Sequence, residues 1–256
     1  MLLNMSLVLS LFGNFFIDIE DSRQVDKYTT LVNKFVTKGL LIGVSSEAKL
    51  ELSSQQGNVL PRQKIIMRPN IFSNDRTWNI SFYDQRIDIS WNTHSKDLHI
   101  SEDDFIKKSK EYLDIIIESY KLKFNRIALN REDVLLDVQQ IDIDTIVSRI
   151  ADIKISSYQN NNIEEWGFRF LRKEQDDNLS KKINVILNVN RGINVFPWAP
   201  NMDIDCITTH YDINTEYSKD TSQTIPIDKV PVFLEKYKKI RSSISEEIWG
   251  DLNEEY

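Results

Sequence analysis

With 256 residues, 41% hydrophobic and 28% charged, the chain has a globular rather than a disordered composition, and it is long enough for one large domain or two small ones. Seven Gly and six Pro exclude collagen-like repeats and leave little material for Gly-rich phosphate-binding loops; a single cysteine, Cys206, excludes an intrachain disulfide and a multi-thiolate metal site and points to a cytoplasmic protein. The net charge of −7 is uneven, with 16 basic and 16 acidic residues up to position 125 and 16 against 23 after it, a balance poorly suited to non-specific nucleic-acid binding.

The opening MLLNMSLVLSLFGNFFI has no Lys or Arg before Arg23 and no small-residue cleavage site, so it reads as a buried strand rather than a signal peptide. The strand is expected over Leu7 to Ile19. Asp21 or Ser22 then caps a helix whose apolar stripe is Val25, Tyr28, Leu31, Val32, Phe35 and Val36, with Gly39 as its stop. Ala48, Leu50 and Leu52 alternate with polar neighbours, Gln55 to Asn58 supply a turn, and a second strand covers about Gln63 to Phe72. Pro69 lacks a backbone donor and marks that strand as an edge or as broken there. Trp78, Ile80 and Phe82, then Ile87, Ile89 and Trp91, form the clearest hairpin. Ser101 with Asp104 opens a helix carrying Phe105, Tyr112, Leu113, Ile116, Ile117 and Tyr120 on one face.

The second half repeats this order. A strand over Arg126 to Val138 precedes a helix capped by Asp142 or Asp144 that carries Ile146, Val147, Ile150 and Ile153. Alternating strands follow around Trp166–Phe170, Ile183–Val189 and Ile204–Tyr217, and a terminal helix starts near Asp228. The expected fold is α+β, with halves 1–125 and 126–256 that are βα-sheet-α units. The repeated order predicts an internal duplication forming one curved antiparallel sheet with helices on one side.

A βαββββα unit resembles the half-repeat of the TATA-binding-protein-like fold, a likeness of element order that carries no function by itself. At residue level, TWNISFYDQRIDISW, SEDDFIKKSKEYLDIIIESY, NRIALN and FLEKYKKIRSSISEEIWGD together resemble a sporadically distributed family of uncharacterised bacterial proteins of similar length. That resemblance implies no activity.

Candidate chemistry is sparse. GxSxG, HExxH, Walker, GxGxxG and CxxC patterns are missing. Asp203, Asp205, His210 and Asp212 hold a metal-ligating set of residue types within ten positions; 203 and 205 share a strand face, which 210 and 212 could join. Ile207, Tyr211 and Ile213 interleave with them, so a solvated strand face is the preferred reading. His94 and His99 read as surface-loop residues, and Cys206 is too far from His210 to act as a paired nucleophile. The loop Asn194 to Asn201 differs in kind: Pro197 and Pro200 stiffen it while Phe196 and Trp198 offer apolar anchors. With the acidic Asp176 and Asp177, these residues form the expected binding site for a partner protein with a basic surface. The leading expectation is a non-enzymatic interaction module, an adaptor, regulatory or inhibitory subunit of a bacterial or phage system, with no cofactor and no membrane. The alternatives are a metal-dependent hydrolase or nuclease and a nucleic-acid-binding saddle.

Overall fold

The computed structural model describes residues 1–12, 19, 25–55, 58–120, 122–136, 138, 140–151, 165–218, 220 and 224–250. In chain order the elements are β1 (Leu2–Leu11), α1 (Val25–Thr37), β2 (Leu41–Gln55), β3 (Asn58–Phe72), β4 (Trp78–Phe82), β5 (Arg86–Asn92), α2 (Glu102–Ser119), β6 (Phe124–Leu136), α3 (Gln140–Ala151), β7 (Trp166–Asp176), β8 (Lys181–Phe196), β9 (Ala199–Thr215) and α4 (Lys229–Trp249). The strands make one nine-stranded antiparallel sheet in the order β2-β3-β4-β5-β1-β6-β9-β8-β7. With its four helices the chain is a mixed α+β fold. β1 and β6 pair at the centre from Leu2↔Asp133 to Leu11↔Phe124, so the two halves share a continuous ladder.

Side-chain alternation decides what each face of the sheet does. Along β1, Met5, Leu7, Leu9 and Leu11 are buried, whereas Asn4, Ser6, Val8 and Ser10 stay partly open. The buried set continues in register through Ile87 and Ile89 of β5 and Ile127 and Leu129 of β6. All four helices pack on that side: Phe35 of α1, Phe105 and Ile116 of α2, Ile146 of α3 and Phe233 of α4 belong to the same apolar core as the strand residues. At roughly 1.5–3 kcal/mol for each fully buried large side chain, this layer supplies most of the drive to fold. α1 lies against α2, and α3 against α4.

Local signals explain the helix ends. The Ser101 hydroxyl accepts from the Asp104 backbone N–H at 3.0 Å, and Glu102, Asp103 and Asp104 fill the positive end of α2. Gly39, at φ +79°, lets the chain reverse after α1, with its N–H donating to Val36 O at 2.9 Å.

Several expectations are corrected. β1 ends at Leu11 rather than Ile19; positions 13–18, the Asp21 and Ser22 caps, the turn residues Gln56 and Gly57, and Ile153 lie outside the described residues. Pro69 is not on an edge strand, because β3 lies between β2 and β4. β4 pairs only with Asn70–Phe72, so the proline falls just past the end of that ladder, where a missing donor is tolerated. α3 starts at Gln140, which puts Asp142 and Asp144 inside the helix instead of at its cap. The expected loop Asn194–Asn201 is the tip of one long β8–β9 hairpin, with Phe196 paired to Ala199 across Pro197 and Trp198.

Candidate functional site

The face of the sheet opposite the helices carries an unusual residue set. One row crosses all nine strands as Gly43, Asn70, Ser81, Asp88, Val8, Ala128, Asn214, Asn184 and Lys173. The next row includes Asn79, Ser90, Ser6, Asn130 and Asp212, and a third runs Asn92, Asn4, Glu132, His210, Asn188 and Arg169. Asparagine is depleted in strands, because its short side chain packs poorly on a pleated surface and competes for backbone hydrogen bonds. Here it stands on one face of seven strands. Folding alone gives no reason for that concentration.

Hydrogen bonds order part of this face. Asn184 Nδ2 donates to Asn214 Oδ1 at 3.0 Å, and Asn214 Nδ2 donates to Asp212 Oδ1 at 2.9 Å. Asn4 Nδ2 donates to Glu132 Oε2 at 2.6 Å, and Ser81 Oγ donates to Asn70 Oδ1 at 3.2 Å. Three oxygens remain covered yet without a hydrogen-bond partner: Asp88 Oδ1, Asn130 Oδ1 and Asn184 Oδ1. Strand spacing of roughly 4.8 Å puts Asp88 and Asn184, four strands apart, about 19 Å from each other. A covered acceptor without a donor costs about 1–3 kcal/mol, so these positions are a local cost on this face.

Charge on the face is mixed. Arg86 and Arg126 flank Ser10. Arg86 Nη2 meets Asp88 Oδ2 at 3.0 Å, and Arg126 Nε donates to Asn214 Oδ1 at 3.4 Å. Burial raises the Asp88 pKa, with Arg86 opposing the shift. In the third row, His210 Nδ1 lies 3.4 Å from Asn188 Nδ2.

The expected site residues fall in several places. Phe196 is buried and stacks on Trp198 with ring centroids 4.8 Å apart and planes 5° from parallel. Both belong to a small apolar cluster with Val134 and Cys206, which occupy open-face positions of β6 and β9. The aromatic pair therefore closes one end of the polar face, and Pro197 sits exposed in the turn. Ile193, Val195 and Met202 of the same tip are more exposed than either ring. Asp176 and Asp177 stand at the other end of β8, about 50 Å away at roughly 3.3 Å per residue. Asp176 is itself buried, accepting from Leu179 N at 3.0 Å, while Asp177 is exposed. The structure does not bring the acidic pair and the aromatic pair together.

The Asp/His set is also divided. β9 keeps an unbroken register from Ile204 to Thr215, and the step from 205 to 210 is odd, so Asp205 points to the face opposite His210 and Asp212, while Asp203 lies in the irregular stretch before that register. Asp205 is engaged by Arg191 at 2.7 Å, and Asp212 sits near Arg126 Nη2 at 3.8 Å. Among the described residues no group of three or more such side chains is placed to hold an ion. Cys206 is buried, and that burial pushes its thiol pKa up. His94 Nε2 donates to Arg76 O at 3.0 Å, on the surface.

The polar face was overlooked in the sequence, although the alternating Asn79/Ser81, Asp88/Ser90/Asn92, Asn188/Asn190 and Asp212/Asn214 pairs record it. Among the described residues no helix is long and apolar enough to cross a membrane. No protein-family model, curated protein or solved structure matches the chain.

Proposed function

We propose that the protein is a non-catalytic interaction module that binds a partner protein across the helix-free face of its sheet. The observation that carries this reading is the run of strand asparagines on that face, with the covered, unpartnered oxygens of Asp88, Asn130 and Asn184 among them. The partly exposed carboxylates of Asp88, Glu132 and Asp212 on the same face accept only, so the matching partner surface is rich in N–H donors: Lys, Arg, Asn or exposed backbone amides. Phe196, Pro197 and Trp198 then form the apolar end of the same binding face, where a half-buried Trp is well suited as an anchor. The excess acid of the second half steers a basic partner toward it, and the lone reduced thiol Cys206 fits a cytoplasmic setting.

We also read the two halves as repeats of one unit. β1 and β6 are adjacent at the centre, and outward from each the strands follow in descending chain order. α1 and α3 follow the first strand of each half, α2 and α4 end each half, and each half pairs its own two helices. Among the described residues the second half has one strand fewer.

A photo-crosslinking residue at Arg86 or Asn190, near opposite ends of the open face, should capture a protein partner in cells, while the same residue at exposed Lys239 on the helix side should not. Equal capture from Lys239 would sink the face assignment. Arg86, Arg126, Arg169 and Lys173 share the open face, which supports nucleic acid as a second reading. Recovery of crosslinked nucleic acid, together with an affinity that falls steeply with salt, would favour it.

A further inference from the structure

Beneath the helix layer, the start of β1, the loop before α2, the end of β6 and the last turns of α4 line a half-open cavity of about 450 Å³. Ile100, Leu135 and Trp249 give it apolar wall, and Arg131 and Arg241 give it two guanidinium groups. Arg131 is rigidly held: its Nε donates to Asp133 Oδ2 at 2.7 Å and its Nη1 to Glu102 Oε2 at 2.9 Å. Burial works against the Arg131 charge, but Asp133 and Glu102 outweigh it and keep the group protonated. Arg241 Nε lies 3.0 Å from the same Glu102 oxygen but is not aligned with it, and it stays covered with no hydrogen bond.

One further group nearby is unmet: the hydroxyl of Tyr237, on a fully buried side chain, has no hydrogen-bond partner among the described residues. The Tyr211 hydroxyl, also buried, meets the Trp249 indole, and both tyrosines lie within electrostatic reach of Arg131, Arg241 and Asp133. Two carboxylates offset two guanidiniums, so the cluster presents no surplus negative charge. The groups left without partners are N–H and O–H donors. A fitting ligand therefore supplies acceptors and, for the remaining walls, apolar surface; the volume suits a small molecule.

We propose that this cavity binds a small organic carboxylate, its oxygens on the free guanidinium edges of Arg241 and Arg131 and its apolar body against Ile100, Leu135 and Trp249. A guanidinium offers two parallel donors to a carboxylate, which a hydroxyl or amide cannot use equally. The site lies on the side of the sheet opposite the proposed partner face, so either can stand without the other.

The direct experiment titrates the full chain with straight-chain carboxylates from acetate to octanoate and with the matching alcohols. Calorimetry gives affinity, and NMR of the arginine Nε–H and Trp249 indole signals gives location. Hexanoate should bind below about 1 mM, at least tenfold tighter than hexanol, and shift the Arg241 and Trp249 signals. Arg241→Gln should lower hexanoate affinity at least tenfold and leave hexanol unchanged. Ser245→Phe, at a wall position one helical turn from Arg241, should fill the cavity and abolish binding of both while the protein still melts cooperatively. Equal binding of hexanoate and hexanol, hexanoate binding that survives Ser245→Phe, or no carboxylate binding below about 10 mM would each overturn the proposal.

Discussion

Strand β1 presents Met5, Leu7 and Leu9 to the helices and Asn4, Ser6 and Val8 to the other side, and its neighbours repeat that division across the sheet. The covered face is an apolar core completed by four helices. The open face is polar, partly ordered and left with covered acceptors that have no partner among the described residues. Side chains of one kind are there because they stabilise the fold. Those of the other kind add little to the fold, and the proposed reading assigns them to binding. Substitutions on the two faces should therefore move stability in opposite directions.

The largest effect belongs to the covered face. Phe105 stacks on Trp78 at 5.4 Å within the core, and Phe105→Ala should cost about 3–5 kcal/mol in denaturant unfolding. A loss below about 1 kcal/mol would mean that α2 contributes little to the core. The ion cluster on the same side comes next. Glu102 is shared by Arg131 and Arg241 at 2.9 and 3.0 Å, with little of the three side chains exposed. Glu102→Ala leaves two guanidiniums with one carboxylate, and about 3 kcal/mol should be lost, since removing one partner of a buried pair strands the other. Glu102→Gln should lose less, because the side-chain oxygen still accepts.

On the open face the sign should turn. Burial raises the folded pKa of Asp88 above its unfolded value, so keeping it charged at neutral pH is a cost to the folded state. That cost disappears as pH falls below the unfolded carboxylate range, about pH 4. Asp88→Asn should thus match or exceed the parent by up to roughly 1 kcal/mol at pH 7, with the gap closing near pH 3.5. The lost ion pair subtracts little, because Arg86 is nearly half exposed. Thermal melts of the two proteins across pH 3.5–7 give the comparison, and a variant less stable at pH 7 than the parent would contradict the cause assigned to the shift.

Much of the covered face was legible in the sequence because its signals are local. The β4–β5 hairpin shows as strict alternation on both sides of Asp84 and Gln85, and α2 shows through Ser101, Asp104 and its apolar stripe. The open face was not legible, because a row such as Asp88, Val8, Ala128, Asn214 and Asn184 is assembled by strand pairing between positions far apart in the chain. The cavity is hidden for the same reason: Glu102, Arg131 and Arg241 meet only after α2, β6 and α4 have packed. The β8–β9 tip was misread as a loop, since a Pro–Trp turn carries none of the Gly or Asn that usually mark a tight hairpin. The division of Asp205 from His210 was available by counting, because five steps along an unbroken strand end on the opposite face.

The most direct test of the comparison is the stability of Asn130→Val, at the sheet centre between Ser6 and Asp212. Valine favours a strand and removes the covered, unpartnered Oδ1. Denaturant unfolding should show the variant more stable than the parent by a few tenths to about 1 kcal/mol, while crosslinking of a partner through Arg86 or Asn190 is lost. A variant that is less stable, with partner capture unchanged, would show that Asn130 serves the fold and contradict the reading of this face as a binding surface.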